Sequence, residues 1–179
     1  ALAGPNGVCK SFVAAKLAKT LGATILSYAD PIRAALSAIG VNFDNKEDIQ
    51  QPFGVSARYM SQTFGTDWGR NTVSDSIWLD LMEKSINNTD GIIIIDDLRF
   101  DNEAWQVRRL CGIVIELHGE TRYDGVDSHQ SEFGIDPTLV DRYFYNSRNV
   151  PMKTTETILD LFNLKKTKLQ EWEDSQLYD

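Results

Sequence analysis

The chain has 179 residues, a net charge of -8 at pH 7 and a pI near 4.8. That length suits one domain with one substantial core, residues 1–179, and the acidic field disfavours a nucleic acid polymer as partner, since such binding rests on neutralising many phosphates. No apolar run reaches membrane-spanning length, there is no secretory signal pattern, and Cys9 and Cys111 are too few for a disulfide framework, so the expected setting is the cytoplasm, with no membrane partner.

In chain order, Ala1-Leu2-Ala3 reads as the end of a buried strand, with the chain beginning inside it. Gly4-Pro5-Asn6-Gly7-Val8-Cys9-Lys10-Ser11 follows at the spacing of a phosphate-binding loop, with Cys9 where a second glycine is expected. A glycine-rich turn entering a helix aims several N–H groups at one point, and the helix dipole favours negative charge there. A Cβ at position 9 would crowd the phosphates or strain the backbone. Val13, Leu17 and Leu21 recur at helical spacing up to Gly22. Ala23 to Tyr28 reads as a strand, and Asp30-Pro31 opens a helix to about Ile39 with Asp30 as its cap. Residues 41–54 read as an irregular surface excursion. Ser56 caps a helix ending near Gly65, and Gly65-Thr66-Asp67-Trp68-Gly69-Arg70 reads as a glycine-flanked turn. Ser74 or Asp75 opens the next helix, with Ile77, Trp78, Leu81, Met82 and Ile86 on one face. Gly91 to Ile95 is an apolar run of the kind buried in a parallel sheet. A helix from Asp101 to Leu110, a strand from Ile113 to Leu117, a loop from 118 to 134, a short strand at Arg142 to Asn146 and a helix over about 154–173 complete the pattern. This alternation predicts an α/β fold, a three-layer sandwich whose parallel sheet of about five strands carries helices on both faces.

In such folds ligands bind at the carboxyl ends of the strands. Those ends are expected to hold the phosphate loop, Asp30 with Arg33, Asp96-Asp97 with Arg99, and the loop after Leu117. Lys10 can bridge the outer phosphates of a nucleotide and Ser11 can ligate Mg²⁺. Asp97 can hold Mg²⁺ directly or through water, or cap the following helix. Asp30 can orient an acceptor group or cap its own helix. Arg58 and Gln62, four apart, share a helix face. Trp68 and Arg70 can grip an anion beside a planar ring, or be a core Trp and a solvated Arg. Arg99 and Glu103 form an i, i+4 pair, read equally as a surface salt bridge. Arg122 can close over phosphates as a cation of a covering loop, with Arg142 competing, and His129 and Glu132 lie in that same loop.

Gln62 to Arg70, Asp97-Leu98-Arg99-Phe100-Asp101-Asn102-Glu103 and His129-Gln130-Ser131-Glu132, in that order, resemble the motifs of bacteriophage deoxynucleoside monophosphate kinases. Tyr28-Ala29-Asp30-Pro31 and the Asp141 to Asn146 segment fit as well, so the resemblance extends to about Leu164. It implies a phosphate-loop (P-loop) kinase fold and transfer of a phosphoryl group from ATP, with Mg²⁺, to a deoxynucleoside 5′-monophosphate. On the matching positions, Lys10, Asp30, Arg70 and Arg99 would be catalytic. Gly4, Asn6, Gly7, Val8, Cys9, Lys10, Ser11 and Arg122 would hold ATP, and Ser11 and Asp97 the metal. The acceptor would meet Asp30, Arg33, Arg58, Gln62, Trp68, Arg70, Arg99 and Glu103. His118-Gly119 stands where that family has a basic residue. A kinase of dephospho-coenzyme A and a nucleotide-binding module with weak catalysis are the competing readings, and a homodimer stays open.

Overall fold

In the computed structural model, residues 1–119, 133–146 and 153–161 are described. Strand β1 is Leu2–Ala3 and helix α1 is Lys10–Leu21; β2 is Thr24–Leu26 and α2 is Asp30–Ala38. A short antiparallel hairpin, β3 (Ile49–Gln50) and β4 (Val55–Ser56), begins inside the excursion expected to be irregular and ends just past it. Helix α3 (Ala57–Gln62) runs directly into a π-helical stretch, Thr63–Val73. Then come α4 (Ile77–Asn87), β5 (Ile93–Ile95), α5 (Asp101–Arg109), β6 (Ile115–His118), a 3₁₀ turn at Pro137–Leu139, β7 (Arg142–Tyr145) and α6 over 153–161.

Local chemistry accounts for the helix ends. Gly22 takes φ 63° and its N–H donates to Ala18 O, which stops α1. The Ser56 hydroxyl accepts from Tyr59 N–H at the start of α3. The start of α2 is one residue earlier than expected: Asp30 lies inside the helix and Ala29 precedes it.

Five strands pair in parallel, but in two ladders rather than one continuous sheet. One runs β1-β6-β7 with Leu2 opposite Ile115 and Leu117 opposite Phe144; the other pairs β2 with β5, Ile25 opposite Ile94. The ladders meet where Leu98 N–H donates to Leu2 O at 3.2 Å. That contact lies past the end of β5 and β1 is two residues long, so one bond forms where a ladder was expected.

The period-2 alternation of the strands separates two apolar layers. Leu2, Ile94, Ile115 and Leu117 pack on Val13, Ala14 and Leu17 of α1 and on Ile158 of α6. Their neighbours Ala3, Ile95 and Val114 face Ile32, Leu36, Trp78, Met82, Ala104 and Val107 from α2, α4 and α5. Burying each large aliphatic chain contributes about 1.5–3 kcal/mol, an upper figure for a real unfolded chain. Helices thus cover both faces, and the strand ends are left to carry the site.

Candidate active site

The loop after β1 is shaped by backbone constraints. Gly4 has φ 126°, and a Cβ there would fall 2.1 Å from Leu117 O, so β1 turns against β6 only with glycine. Cys9 takes φ 62° and ψ 32°, the left-handed conformation a glycine would adopt freely. The strain expected of that residue is therefore present, at about 1–2 kcal/mol, while the course of the loop is kept. The loop is also braced from β7: Asn146, 1% exposed, donates through Nδ2 to Val8 O at 2.7 Å. Buried Lys10 donates to Gly4 O and Pro5 O, both at 2.7 Å, which holds its ammonium inside the curl of the loop. Ser11 is exposed in the first turn of α1, where backbone N–H groups have no intrahelical partner.

A second cluster of cations stands at the ends of β2 and β5. Arg33, Lys46, Arg58, Arg70 and Arg99 line one cavity together with Gln62, Asp97 and Glu103. Its apolar walls are Tyr28, Ile32, Phe43, Trp78 and Phe100. Arg99 also lines a neighbouring cavity with Gly4 and Pro5. Arg99 therefore lies between the loop and the cation cluster.

Arg70 is placed by the π-helical stretch, not by a turn. The wider turn brings Gly65 and Gly69 against α2 and α4: a Cβ on Gly65 would meet Ile32 Cδ1 at 2.9 Å, and one on Gly69 would meet the Trp78 ring at 2.5 Å. Trp78 Nε1 donates to Gly65 O at 2.7 Å. The glycines are thus packing residues, and insertions of this helix type recur at functional sites.

From this helix Arg70 Nη2 donates to Glu103 Oε1 at 2.5 Å, with 10% and 2% of the two side chains exposed. Its guanidinium lies 4.0 Å from the Phe100 ring centroid. Its Nη1 is buried and, among the described residues, has no hydrogen-bond partner, an orphan donor in a cavity wall and a place for a ligand oxygen. Glu103 Oε2 accepts from Arg99 N–H at 2.7 Å and Phe100 N–H at 3.1 Å. Burial raises the Glu103 pKa to about 7, with Arg70 pulling the other way. The expected Arg99–Glu103 side-chain pair is thus a backbone contact, and the ion pair runs to Arg70 from another helix.

The aspartates bond to backbone and side chains around the β2–α2 turn. Asp97 accepts from Tyr28 N–H at 2.8 Å and Ala29 N–H at 3.0 Å, which fixes the β2–α2 turn; burial raises its pKa. Asp96 accepts from the Ser27 hydroxyl at 2.5 Å. Asp30 accepts from Ser27 N–H at 3.0 Å and from Arg33 at 2.7 Å, and is 56% exposed. It does not line the cation cavity, so its geometry favours holding Arg33 over facing an acceptor.

Arg33, Arg58, Gln62, Arg70, Arg99 and Glu103 therefore line one cavity, and Lys10 and Ser11 open α1 at the end of the loop. Trp68 does not join them: it stacks on Phe64 at 4.5 Å between centroids and is 45% exposed. Arg122, His129 and Glu132 lie outside the described residues. Lys46, Ile32 and Phe43 carry no sequence signal of a site, because none stands in a local chemical motif. Among the described residues no helix is long and apolar enough to cross a membrane, and no three acidic, His or Cys side chains gather as a metal cluster.

A family model described as deoxynucleotide monophosphate kinase matches residues 14–154. The deoxynucleoside-5′-monophosphate kinase of Escherichia phage T5 is 31% identical over 110 residues, covering 58% of this chain and 44% of the relative. A protein of Acanthamoeba polyphaga mimivirus, provisionally named deoxynucleotide monophosphate kinase, is 29% identical over 155 residues, covering 73% of this chain and 78% of its own. The chain thus spans less than half the length of the phage relative.

Proposed function

The chain belongs to the deoxynucleotide monophosphate kinase family, and we propose that it transfers the γ-phosphoryl group of ATP to a deoxynucleoside 5′-monophosphate on a P-loop kinase fold. In this reading the two parallel ladders act as one five-stranded platform in a single domain, and the reaction serves nucleotide supply in the cytoplasm. The observation that carries it is the position of Arg99, which lines both the cavity at Gly4 and Pro5 and the cavity walled by Arg33, Arg58 and Arg70. A donor and an acceptor phosphate could meet one guanidinium there.

The donor set of the loop suits a polyphosphate. Gly4, Asn6, Gly7, Val8 and Cys9 supply the curl, α1 supplies first-turn N–H groups and a dipole, and Lys10 supplies a buried ammonium. To meet the phosphates, Lys10 exchanges the Gly4 and Pro5 carbonyls for charged oxygens, which form stronger hydrogen bonds. Ser11 would hold Mg²⁺, with Asp97 reached through water since both its oxygens already accept backbone N–H groups. The ion would supply charge neutralisation on the phosphate oxygens.

Phosphoryl transfer asks for alignment and electrostatic stabilisation. Arg58 and Arg33 would orient the acceptor phosphate, with Gln62 beside them. Arg70, locked by Glu103 and Phe100, presents its Nη1 already desolvated. Arg99 would follow the transferring group between the two cavities. Tyr28 and Phe43 offer apolar surface to the rest of the nucleotide.

The test is ADP release from ATP across a panel of deoxynucleoside monophosphates. ADP formed with at least one of them supports this function. Turnover of dephospho-coenzyme A alone, or nucleotide binding with no ADP formed, contradicts it.

A further inference from the structure

Three of the cations around the acceptor cavity are matched by carboxylates. Arg33 pairs with Asp30 at 2.7 Å, Arg58 with Glu47 at 2.5 Å, and Arg70 with Glu103. Lys46 lines the same cavity from the segment between α2 and α3, and among the described residues its ammonium has no hydrogen bond or ion pair. It is held there by its backbone. Lys46 O accepts from Arg58 N–H at 2.8 Å in the first turn of α3, and the adjacent Glu47 binds the Arg58 side chain. Asn42 and Gln50 close the segment, with Asn42 N–H donating to Gln50 Oε1 at 3.0 Å.

The charges facing the Lys46 ammonium are mostly positive. Although the residue is exposed overall, the surrounding protein crowds its ammonium, and its pKa is lowered by burial first and then by Arg33, Arg58 and Arg99. Asp97 opposes this but has both oxygens on backbone N–H groups. An ammonium held among like charges without a carboxylate leaves a local positive excess. A dianionic phosphate monoester, with three acceptor oxygens, satisfies it.

We propose that Lys46 contacts the phosphate of the acceptor, donating to the 5′-monophosphate alongside Arg33, Arg58 and Arg99. This rests on the kinase function proposed above and adds an acceptor-binding residue from a segment with no motif. The apolar part of the nucleotide is left to the cavity walls, so Lys46 reads phosphate and neither base nor sugar.

Calorimetry separates these contributions. Wild type, Lys46→Met and Lys46→Arg are titrated with the four deoxynucleoside 5′-monophosphates, the four unphosphorylated deoxynucleosides and ATP, beside the ADP-release assay. Lys46→Met is expected to weaken monophosphate binding by about tenfold to a hundredfold, the loss of one charge-assisted hydrogen bond. Deoxynucleoside and ATP affinities should stay within about twofold, and Lys46→Arg should recover most of the loss. Unchanged monophosphate affinity in Lys46→Met, or an equal loss for the deoxynucleosides, overturns the assignment. If wild type binds monophosphate and ATP yet releases no ADP, the kinase reading fails, and the Lys46→Met titration still decides the phosphate contact. If wild type binds no monophosphate, both fall.

Discussion

The loop after β1 and the cation-lined cavity both concentrate positive charge, the loop mainly with backbone and the cavity with side chains. In the loop, Gly4 and Cys9 hold positive φ, α1 points its dipole outward, and Lys10 rests on the Gly4 and Pro5 carbonyls. In the cavity, guanidinium groups come from α2, α3, the π-helical stretch and the end of β5, three of them steadied by Asp30, Glu47 and Glu103. A backbone site tolerates a changed side chain if φ and ψ survive. A side-chain site depends on the partners that aim each group, and those come from distant parts of the chain.

The sharpest break in this contrast is Lys10→Ala. The loop course is set by backbone, so the fold should survive with an unchanged circular dichroism spectrum, while kcat/KM falls by at least about a hundredfold. Near-normal turnover would remove the loop from the mechanism.

Glu103→Gln tests the cavity through a residue that aims another. The amide keeps the shape but removes the charge facing Arg70, and we expect kcat/KM to fall about tenfold or more, mainly through the monophosphate. The same variant has a pH signature. Because burial raises the folded-state pKa of Glu103 to about 7, its proton favours the folded state below the ordinary value near 4.5. That contribution is lost as pH rises through about 7. Urea unfolding of wild type and Glu103→Gln from pH 4.5 to 7.5 should show a steeper decline in wild type than in the variant; parallel curves would contradict it.

The smallest effect is expected at Cys9→Gly. Relief of the left-handed strain is set against the greater freedom of glycine in the unfolded chain, so thermal unfolding should show stabilisation of no more than about 1 kcal/mol. The KM for ATP should stay within about threefold. A large change in either quantity would mean that the Cys9 side chain does more than occupy a glycine position.

How far the sequence reached differs between these regions for the same reason. The loop was legible because Gly4 through Ser11 are contiguous and their spacing is their geometry. Gln62, Arg70 and Arg99 were legible as residues, since each stands in a run of unusual composition, and Arg58 by its i, i+4 spacing to Gln62. Their partners were not. Spacing i, i+4 pairs Glu103 with Arg99, but Arg70 reaches it because the π-helical stretch packs Gly69 on Trp78. A wide helical turn has no strong local code, so those glycines read as breakers. The neighbours of Trp68 point it to the acceptor, yet its ring stacks on Phe64. Lys46 had no signal of its own, because its place depends on a backbone bond to Arg58. The parallel strands and the helices on both faces followed from alternation and apolar runs, whereas their division into two ladders depends on where short strands stop.

The central claim is that the Arg70 cavity takes the monophosphate while the Lys10 loop takes ATP. Its most direct test is the pair of KM values of Arg70→Ala, measured at saturating concentrations of the other substrate. The account predicts that KM for the deoxynucleoside monophosphate rises by about tenfold to a hundredfold, with KM for ATP within about twofold of wild type. A rise confined to the KM for ATP would contradict it.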